Sequence, residues 1–578
     1  MAEVAAAPPG PHGNAMTRVI AGTAALLLAA GAARAQPAAT PAPAADLIVT
    51  ARRIYTVDPD RPTVEAVAVR GGLIAFAGSE REAMALGGPR TRMLRLGEAT
   101  VIPGIVDAHA HLLGIGLALR NVDLTGARSY DEVVERVAAR ARSTRPGEWI
   151  RGRGWDQNAW PDRRFPTEAA LSRAVSDHPV VLTRVDGHAV LVNARALEIA
   201  GITAATPDPP GGRIIRNPDG SPTGVLVDVA RSLVDRVVPP PSQEETRAAV
   251  LAAVAELNRW GVVGIHDAGV EAPTIDLYEE LARAGQLQLR DYVMVSGDSG
   301  ATVLRYLRRG PQSALDDGRL WIRAIKLYAD GALGSRGAAL LEDYSDEPGN
   351  RGLIITPGDS IERVAVAALR SGFQVCVHAI GDRANRMVLD AYQAALDSVP
   401  TADHRFRIEH AQILSPQDIP RFAALGVIPS MQTSHQTSDM AWAPSRLGWG
   451  RLLGAYAWRS LLNTGVVIPN GTDAPVEAVN PMIRFHAAVT RQDADGWPAG
   501  GWFPVERMSR EEALESMTVW PAYAAFMEHV AGSLTPGKYA DFTVLDQDIM
   551  TVAPERILDT RVVMTVLGGV PVYQRSAP

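Results

Sequence analysis

Eight short apolar segments, spread through the middle of the chain and separated by longer amphipathic stretches, constrain the fold more than any other feature. They are "TVIPGIVDAHAH", "GVVGIHDAG", "LQLRDYVMVSG", "LWIRAIKLYADG", "FQVCVHAIGD", "RFRIEHAQI", "GVIPSMQT" and "GVVIPNGTDAP". Strands alternating with helices read as βα units, and such units build a parallel sheet with both faces covered. Eight is the number that closes the sheet into a barrel. The expected class is therefore α/β, with a (β/α)8 barrel over residues 99–525. One helix is legible end to end: "SQEETRAAVLAAVAELNRWG" has Ser242 at its start and Gly261 at its end.

Three regions depart from this rhythm. Between the first and second strands lie roughly 150 residues, far more than one crossover helix needs. They hold "RGRGWDQNAWPDRRFPTEAAL" and "VVLTRVDGHAVLVNARALEIAGI", and predict an inserted subdomain over about 118–240, above the barrel mouth. The two ends, 46–98 and 530–578, are β-rich with Gly-Gly and Asp-Pro turns. Neither is long enough to bury much alone, so pairing into one β-sandwich is the economical arrangement.

The N-terminus carries "MTRVIAGTAALLLAAGAARAQ", with one arginine, an apolar run from Val19 and Ala33-Arg34-Ala35 before Gln36. That predicts a signal peptide over 1–35 cleaved after Ala35, export to a periplasm-like compartment or beyond, and a flexible spacer over 36–45. Met16 is an alternative start, and an uncleaved apolar terminus an alternative fate. The formal net charge of −7 gives no electrostatic reason to expect nucleic acid, nor a membrane beyond the export signal. A small-molecule substrate is the expected partner, and a homodimer is left open. The only cysteine, Cys376, lies in an apolar run and reads as a buried small hydrophobe.

At the C-terminal ends of barrel strands, side chains converge on one face. Strand one ends in His109 and His111, two apart and so on one side of a strand. Strand four carries Lys326, strand five ends at His378, strand six at His410 and strand eight at Asp473. Singly, each has a bland explanation: a packed histidine, a snorkelling lysine, a turn aspartate. Together they are imidazole and carboxylate donors gathered at one end of a barrel, which suits a divalent metal, zinc foremost.

"VIPGIVDAHAHL", the Lys326 strand, "VHAIGDRA", "RIEHAQ", "GTDAP" and the C-terminal "GSLTPGKYADFTVLD" together resemble the amidohydrolase superfamily. More narrowly they are similar to its amidohydrolase-3 branch, the N-substituted formamide deformylase-like hydrolases, over about residues 46–575. The resemblance implies a distorted (β/α)8 TIM barrel carrying a composite β-sandwich. It implies that His109, His111 and Asp473 hold one metal and His378 and His410 a second, with Lys326, N6-carboxylated by CO2, bridging them. A single-metal site with an unmodified Lys326 is the alternative. The branch often has serine before the aspartate, where this chain has Thr472.

The expected reaction is metal-dependent hydrolysis of an amide-type C–N bond, with Asp473 moving the proton and His410 among the catalytic groups. Deamination, or cleavage of a carbamate or ester, would use the same site, and a non-enzymatic relative is the remaining alternative. Expected substrate contacts are His188, Arg336 and Trp155, each with a packing or solvated role as the competing reading. Trp160 shares the aromatic-wall expectation with Trp155, and His266 is expected to act behind the ligands.

Overall fold

The computed structural model describes residues 43–576. The signal peptide expected over 1–35, and the expected spacer as far as residue 42, lie outside the described residues. Ala45, the last residue assigned to the spacer, is already buried, its N–H bonded to Leu86 O at 2.9 Å.

The barrel sheet is parallel and runs, in chain order, through β1 (Ile105–Ala110), β2 (Val262–Val270), β3 (Arg290–Ser296), β4 (Leu320–Tyr328), β5 (Gln374–Ala379), β6 (Arg407–His410) and β7 (Ile428–Ser430). Each is one of the segments read from the sequence. The eighth is not a regular strand. Residues 468–473 reach β7's continuation through a single parallel bridge, Met431 to Asn470. They reach β1 through Ala108 N–H to Asn470 O at 3.4 Å and Asp473 N–H to His109 O at 2.6 Å. Pro469 cannot donate to a ladder, and Gly471 passes so close to His109 that a Cβ there would stand 2.5 Å from its nitrogen. The seam therefore closes by backbone contact and not by a ladder.

A second departure concerns "TVIPGIVDAHAH", which divides at Gly104. Thr100–Pro103 pairs antiparallel with Phe542–Leu545 in another sheet, and only Ile105–Ala110 belongs to the barrel. Gly104 is required at the crossing, because a Cβ would meet the Val263 side chain at 2.3 Å. Thr100–Pro103 is thus the joint between the chain's two ends. The sheet it joins has eight strands, among them Leu47–Tyr55, Thr63–Arg70 and Leu73–Gly78 from one end and Phe542–Leu545, Val562–Leu567 and Val570–Gln574 from the other. Val49, Val67, Val69, Phe542, Val544 and Val566 share its core.

The sheet is anchored to the barrel's closed end by polar contacts. Thr543 and Thr565 hydroxyls donate to Gly261 O and Asn258 O at 2.6 Å, and Arg290 of β3 makes a buried two-point pair with Asp541 at 2.5 and 2.9 Å. The helix Gln243–Arg259 that supplies Asn258 starts with a capping box between Ser242 and Glu245.

Between β1 and β2 stands the insertion, a six-stranded sheet whose outer members are Val122–Asp123 and Gly212–Arg216. Trp155 and Trp160 are buried in its core with Val180, Leu182 and Leu191. Its strands Ile150–Trp155, Val180–Arg184 and Pro222–Asp228 end over the barrel mouth, which sets up one wall of the site.

Candidate metal centre

His109, on β1, is wholly buried, and its Nδ1 lies 2.5 Å from Glu409 Oε2 on β6. Glu409 is in turn clasped by Arg407, Nε to Oε1 at 2.7 Å and Nη2 to Oε2 at 2.9 Å. Burial alone would raise the Glu409 carboxyl, but Arg407 and His109 hold it well below its usual range. Arg407 also donates to Ala108 O, to Ser430 Oγ and to His266 Nδ1. Burial and the Arg407 charge push His266 well down, so it accepts as a neutral ring. Glu409 fixes the His109 ring with Nε2 facing the cavity, and His266 stands two links behind it.

The other rings are held in the same manner. His111, at the start of the helix Leu112–Ala118, has Nδ1 2.8 Å from Ala268 O on β2. That leaves Nε2 3.1 Å from Asp473 Oδ1, which also lies 3.5 Å from His109 Nε2. His410, at the end of β6, has Nδ1 2.7 Å from Gln432 Oε1. Both His410 and Asp473 take left-handed backbone, φ 75° and 56°. Non-glycine residues rarely hold that conformation, and it aims both side chains inward. Burial would raise the Asp473 carboxyl, but hydrogen bonds from His111 and His435 hold it well below the ordinary range.

Two donor groups result, His109–His111–Asp473 and His410–His435–Asp473, the donor atoms of each within 4.8 Å of one another. The first is the expected triad. The second contains His435, which the sequence reading missed; it sits in "QTSHQT" on the helix Thr433–Asp439, beyond the end of β7, where no strand pattern points to it. Its Nε2 is 3.4 Å from Asp473 Oδ2 and its Nδ1 3.1 Å from Glu477 Oε1. Burial opposes its charge, yet those two carboxylates raise it to about 10.

His378, expected in the second group, stands beside it, with its ring 4.6 Å from that of His410 and 5.1 Å from that of His188. Its buried Nε2 has no hydrogen-bond partner among the described residues. Lys326, fully buried on β4, points Nζ at His109 Nε2 at 3.4 Å, and burial pushes its ammonium down from the usual range. Rings tied back through Nδ1, an orphaned His378 nitrogen and a shared carboxylate are what a divalent cation requires, so the donor set fits one.

Two cavities meet at these donors. The larger, about 640 Å³, is lined by His109, His111, Lys326, Tyr328, His188 and insertion residues. The smaller, about 110 Å³, lies beyond His378, His410 and Asp473 and is walled by Leu333, Trp442, His435 and Asp439. His188 lines both and is fixed by Asp228 Oδ1, 2.7 Å from its Nδ1.

Two expected substrate contacts are corrected. Trp155 is wholly buried in the insertion core, its Nε1 donating to Leu182 O, because an apolar ring of that size is worth more inside than at a mouth. Trp160 is buried beside it, donating to Ala127 O. Arg336 lines neither cavity; Asp346 at 3.0 Å and Glu347 at 3.3 Å draw its guanidinium away.

A parallel barrel with imidazole and carboxylate donors at the C-terminal ends of its strands defines a metal-dependent hydrolase. The chain matches the amidohydrolase family over residues 96–573, and belongs to it. It is 35% identical to protein LONG AFTER FAR-RED 3 of Arabidopsis thaliana over 92% of each chain. It is 30% identical to the N-substituted formamide deformylase of Arthrobacter pascens, over 92% of this chain and 99% of that one. Among solved structures, an uncharacterized metal-dependent hydrolase from Pyrococcus horikoshii OT3 superposes with a TM-score of 0.71 at 26% identity, covering 88% of this chain and 99% of that one.

Proposed function

We propose that the protein hydrolyses an amide-type C–N bond of a small molecule. The observation that carries this reading is the convergence on Asp473 of imidazole Nε2 atoms whose Nδ1 atoms are already committed, beside a cavity large enough for a small organic substrate. The likeness to a formamide deformylase supports the choice of a C–N bond.

Divalent ions, zinc by donor chemistry, would be held by His109, His111 and Asp473 and by His410 with His378, and would supply Lewis acidity that acidifies water and polarises a carbonyl. The protein's own groups do the rest. Asp473, ionised and reached from both cavities, accepts the proton of the attacking water and returns it to the leaving nitrogen. His435, kept protonated by Asp473 and Glu477, stabilises negative charge developing on the substrate oxygen.

Lys326 is the proposed site of carboxylation. Its buried amine, once deprotonated, attacks the carbon of CO2, forms an N–C bond and releases a proton, leaving a carboxylate beside His109.

Metal analysis of the purified protein, followed by a panel of amides, carbamates and aminated heterocycles, tests the reading. At least one equivalent of zinc and turnover of an amide are expected. Turnover confined to the heterocycles would replace the reading with deamination. Less than one equivalent, with no activity on adding zinc, would sink it.

A further inference from the structure

The wall of the larger cavity contributed by the insertion carries two arginines, Arg153 and Arg231. Arg153 leaves the strand Ile150–Trp155 and donates from Nε to Pro475 O at 3.2 Å and from Nη2 to Val185 O at 2.9 Å. Among the described residues it makes no ion pair. Other buried arginines around the site have one: Arg184 with Asp156 and Asp186, Arg407 with Glu409, Arg446 with Asp346.

Arg231 follows the strand Pro222–Asp228. Among the described residues, its Nη1 donates to Gly187 O, its buried Nε has no hydrogen-bond partner, and its one ion-pair carboxylate, Asp235, lies 3.9 Å away and is half exposed. Burial pushes the Arg153 guanidinium down to about 10, with Arg231 adding to that against the pull of Asp473 and Asp186. Holding two cations on one partly buried wall, one without an ion pair and the other with only a distant one, costs stability, and a fold retains such an arrangement when something else supplies the negative charge. Glu271 and Asp298, after β2 and β3, line the same cavity and would drive an anion off those loops toward the insertion, whose own lining carboxylates Asp186 and Asp228 are paired with Arg184 and His188.

We infer that Arg153 and Arg231 recognise a carboxylate on the substrate, so that the amide hydrolysed is anionic on the half that fills the larger cavity. This rests on the hydrolase reading above and names its substrate class. The other half enters the space of about 110 Å³ between His378, His410 and Trp442, which limits it to a few heavy atoms. A guanidinium meets a carboxylate through two parallel N–H donors, so Arg153 fixes orientation as well as charge.

The test compares kcat/KM of the zinc-loaded protein on matched amides. N-acetylphenylalanine is set against N-acetylphenethylamine, with the carboxylate on the amine side. 4-(Methylcarbamoyl)butanoate is set against N-methylpentanamide, with it on the acyl side. In at least one pair the anionic member should be favoured, and R153Q and R231Q should each cut that preference about tenfold or more, chiefly through KM. R153K, which keeps the charge and loses the fork, should recover part of it. R231Q, whose arginine does not touch the Asp473 loop, keeps the test valid if R153Q fails to fold.

Neutral members turned over as well as or better than anionic ones in both pairs would overturn the inference and leave the hydrolase standing. A readout independent of turnover is calorimetric binding of 3-phenylpropane-1-sulfonate, a weak metal ligand, which should loosen about tenfold in R153Q. If no amide is hydrolysed but that loss is seen, the anion site stands and the hydrolase reading falls. Sulfonate binding unchanged in both variants refutes the site.

Discussion

Glu409 lines neither of the two cavities at the donors, yet it should govern metal affinity. Its carboxylate takes His109 Nδ1 at 2.5 Å on one side and Arg407 on the other, both wholly buried. Two separable effects follow from removing it. The first is on the ring: without a carboxylate behind it, His109 becomes less basic and less firmly aimed. Loss of such a supporting carboxylate costs about 10–100-fold in metal affinity, or about 1.4–2.7 kcal/mol. E409Q keeps an acceptor for Nδ1 and should fall near the lower bound; E409A should fall near the upper. The second effect is on the fold, because Arg407 is left as a buried charge without its counter-ion, which costs about 3–5 kcal/mol.

Chelator competition for zinc reads the first effect and urea unfolding of the metal-stripped protein the second. The double variant R407M/E409Q separates them. Neutralising both partners should recover part of the lost stability, although Ala108 O, Ser430 and His266 then lose a donor. It should not recover zinc affinity, since His109 still lacks its carboxylate. If E409Q binds zinc as the unsubstituted protein does, or if the double variant regains full affinity, Glu409 merely neutralises Arg407 and the reasoning fails.

Lys326→Ala should lower metal content toward one equivalent and activity at least about a hundredfold, read by elemental analysis and kcat; full activity and metal content would establish the single-metal arrangement with an idle lysine. Gly471→Ala places a Cβ 2.5 Å from His109 N and 2.7 Å from His109 O, so it should destabilise by at least about 1–3 kcal/mol in urea and weaken zinc binding as the Asp473 segment is displaced; unchanged stability would refute the close seam. Asp439 gives a pH effect. Burial raises its folded pKa from 3.8 to about 7, so its contribution to stability is fully present below pH 3.8 and lost as pH rises through about 7. Against D439N, whose amide oxygen still accepts from Tyr456 and Gln412, the unsubstituted protein should lose on the order of 2–4 kcal/mol between pH 4 and 8, and a flat difference in urea stability would count against the shift.

What could be read from the sequence was whatever repeats or ends a pattern. Seven strands were legible as short apolar runs, the helix from Ser242 as a 3.6-residue period with a cap, and the donors as the polar residues that end those runs. What could not be read was set by partners distant in the chain. Gly104 divides one apolar run between two sheets because Val263, 159 positions on, occupies the space of a side chain. His435 stands on a short helix past its strand and joins the site only because Asp473 and Glu477 arrive from the next loop. Trp155 and Arg336 looked like contacts because a large ring and a cation suit a pocket; a hydrophobic core and two carboxylates claim them first.

Thr472 shows how far a departure at one position can be judged once its bonds are known. The residue before Asp473 contributes one group to the site's frame, a hydroxyl that donates to Asp107 Oδ2 at 2.6 Å and accepts from Ala474 N–H at 3.0 Å. Its backbone N–H donates to Asp107 Oδ1 at 2.9 Å. Asp107 belongs to the same strand as His109, so these bonds fasten the loop that carries Asp473 to the strand that carries the first histidine, and they hold Asp473 in its left-handed conformation. Serine and threonine supply that hydroxyl equally; the extra methyl of threonine restricts χ1 and costs nothing where the hydroxyl is already fixed. Valine, nearly the same shape, removes donor and acceptor together and leaves the Asp107 oxygen buried and unpaired, which is the expensive error. The frame therefore depends on the hydroxyl and not on which residue carries it, and that is why threonine here is compatible with an intact metal centre.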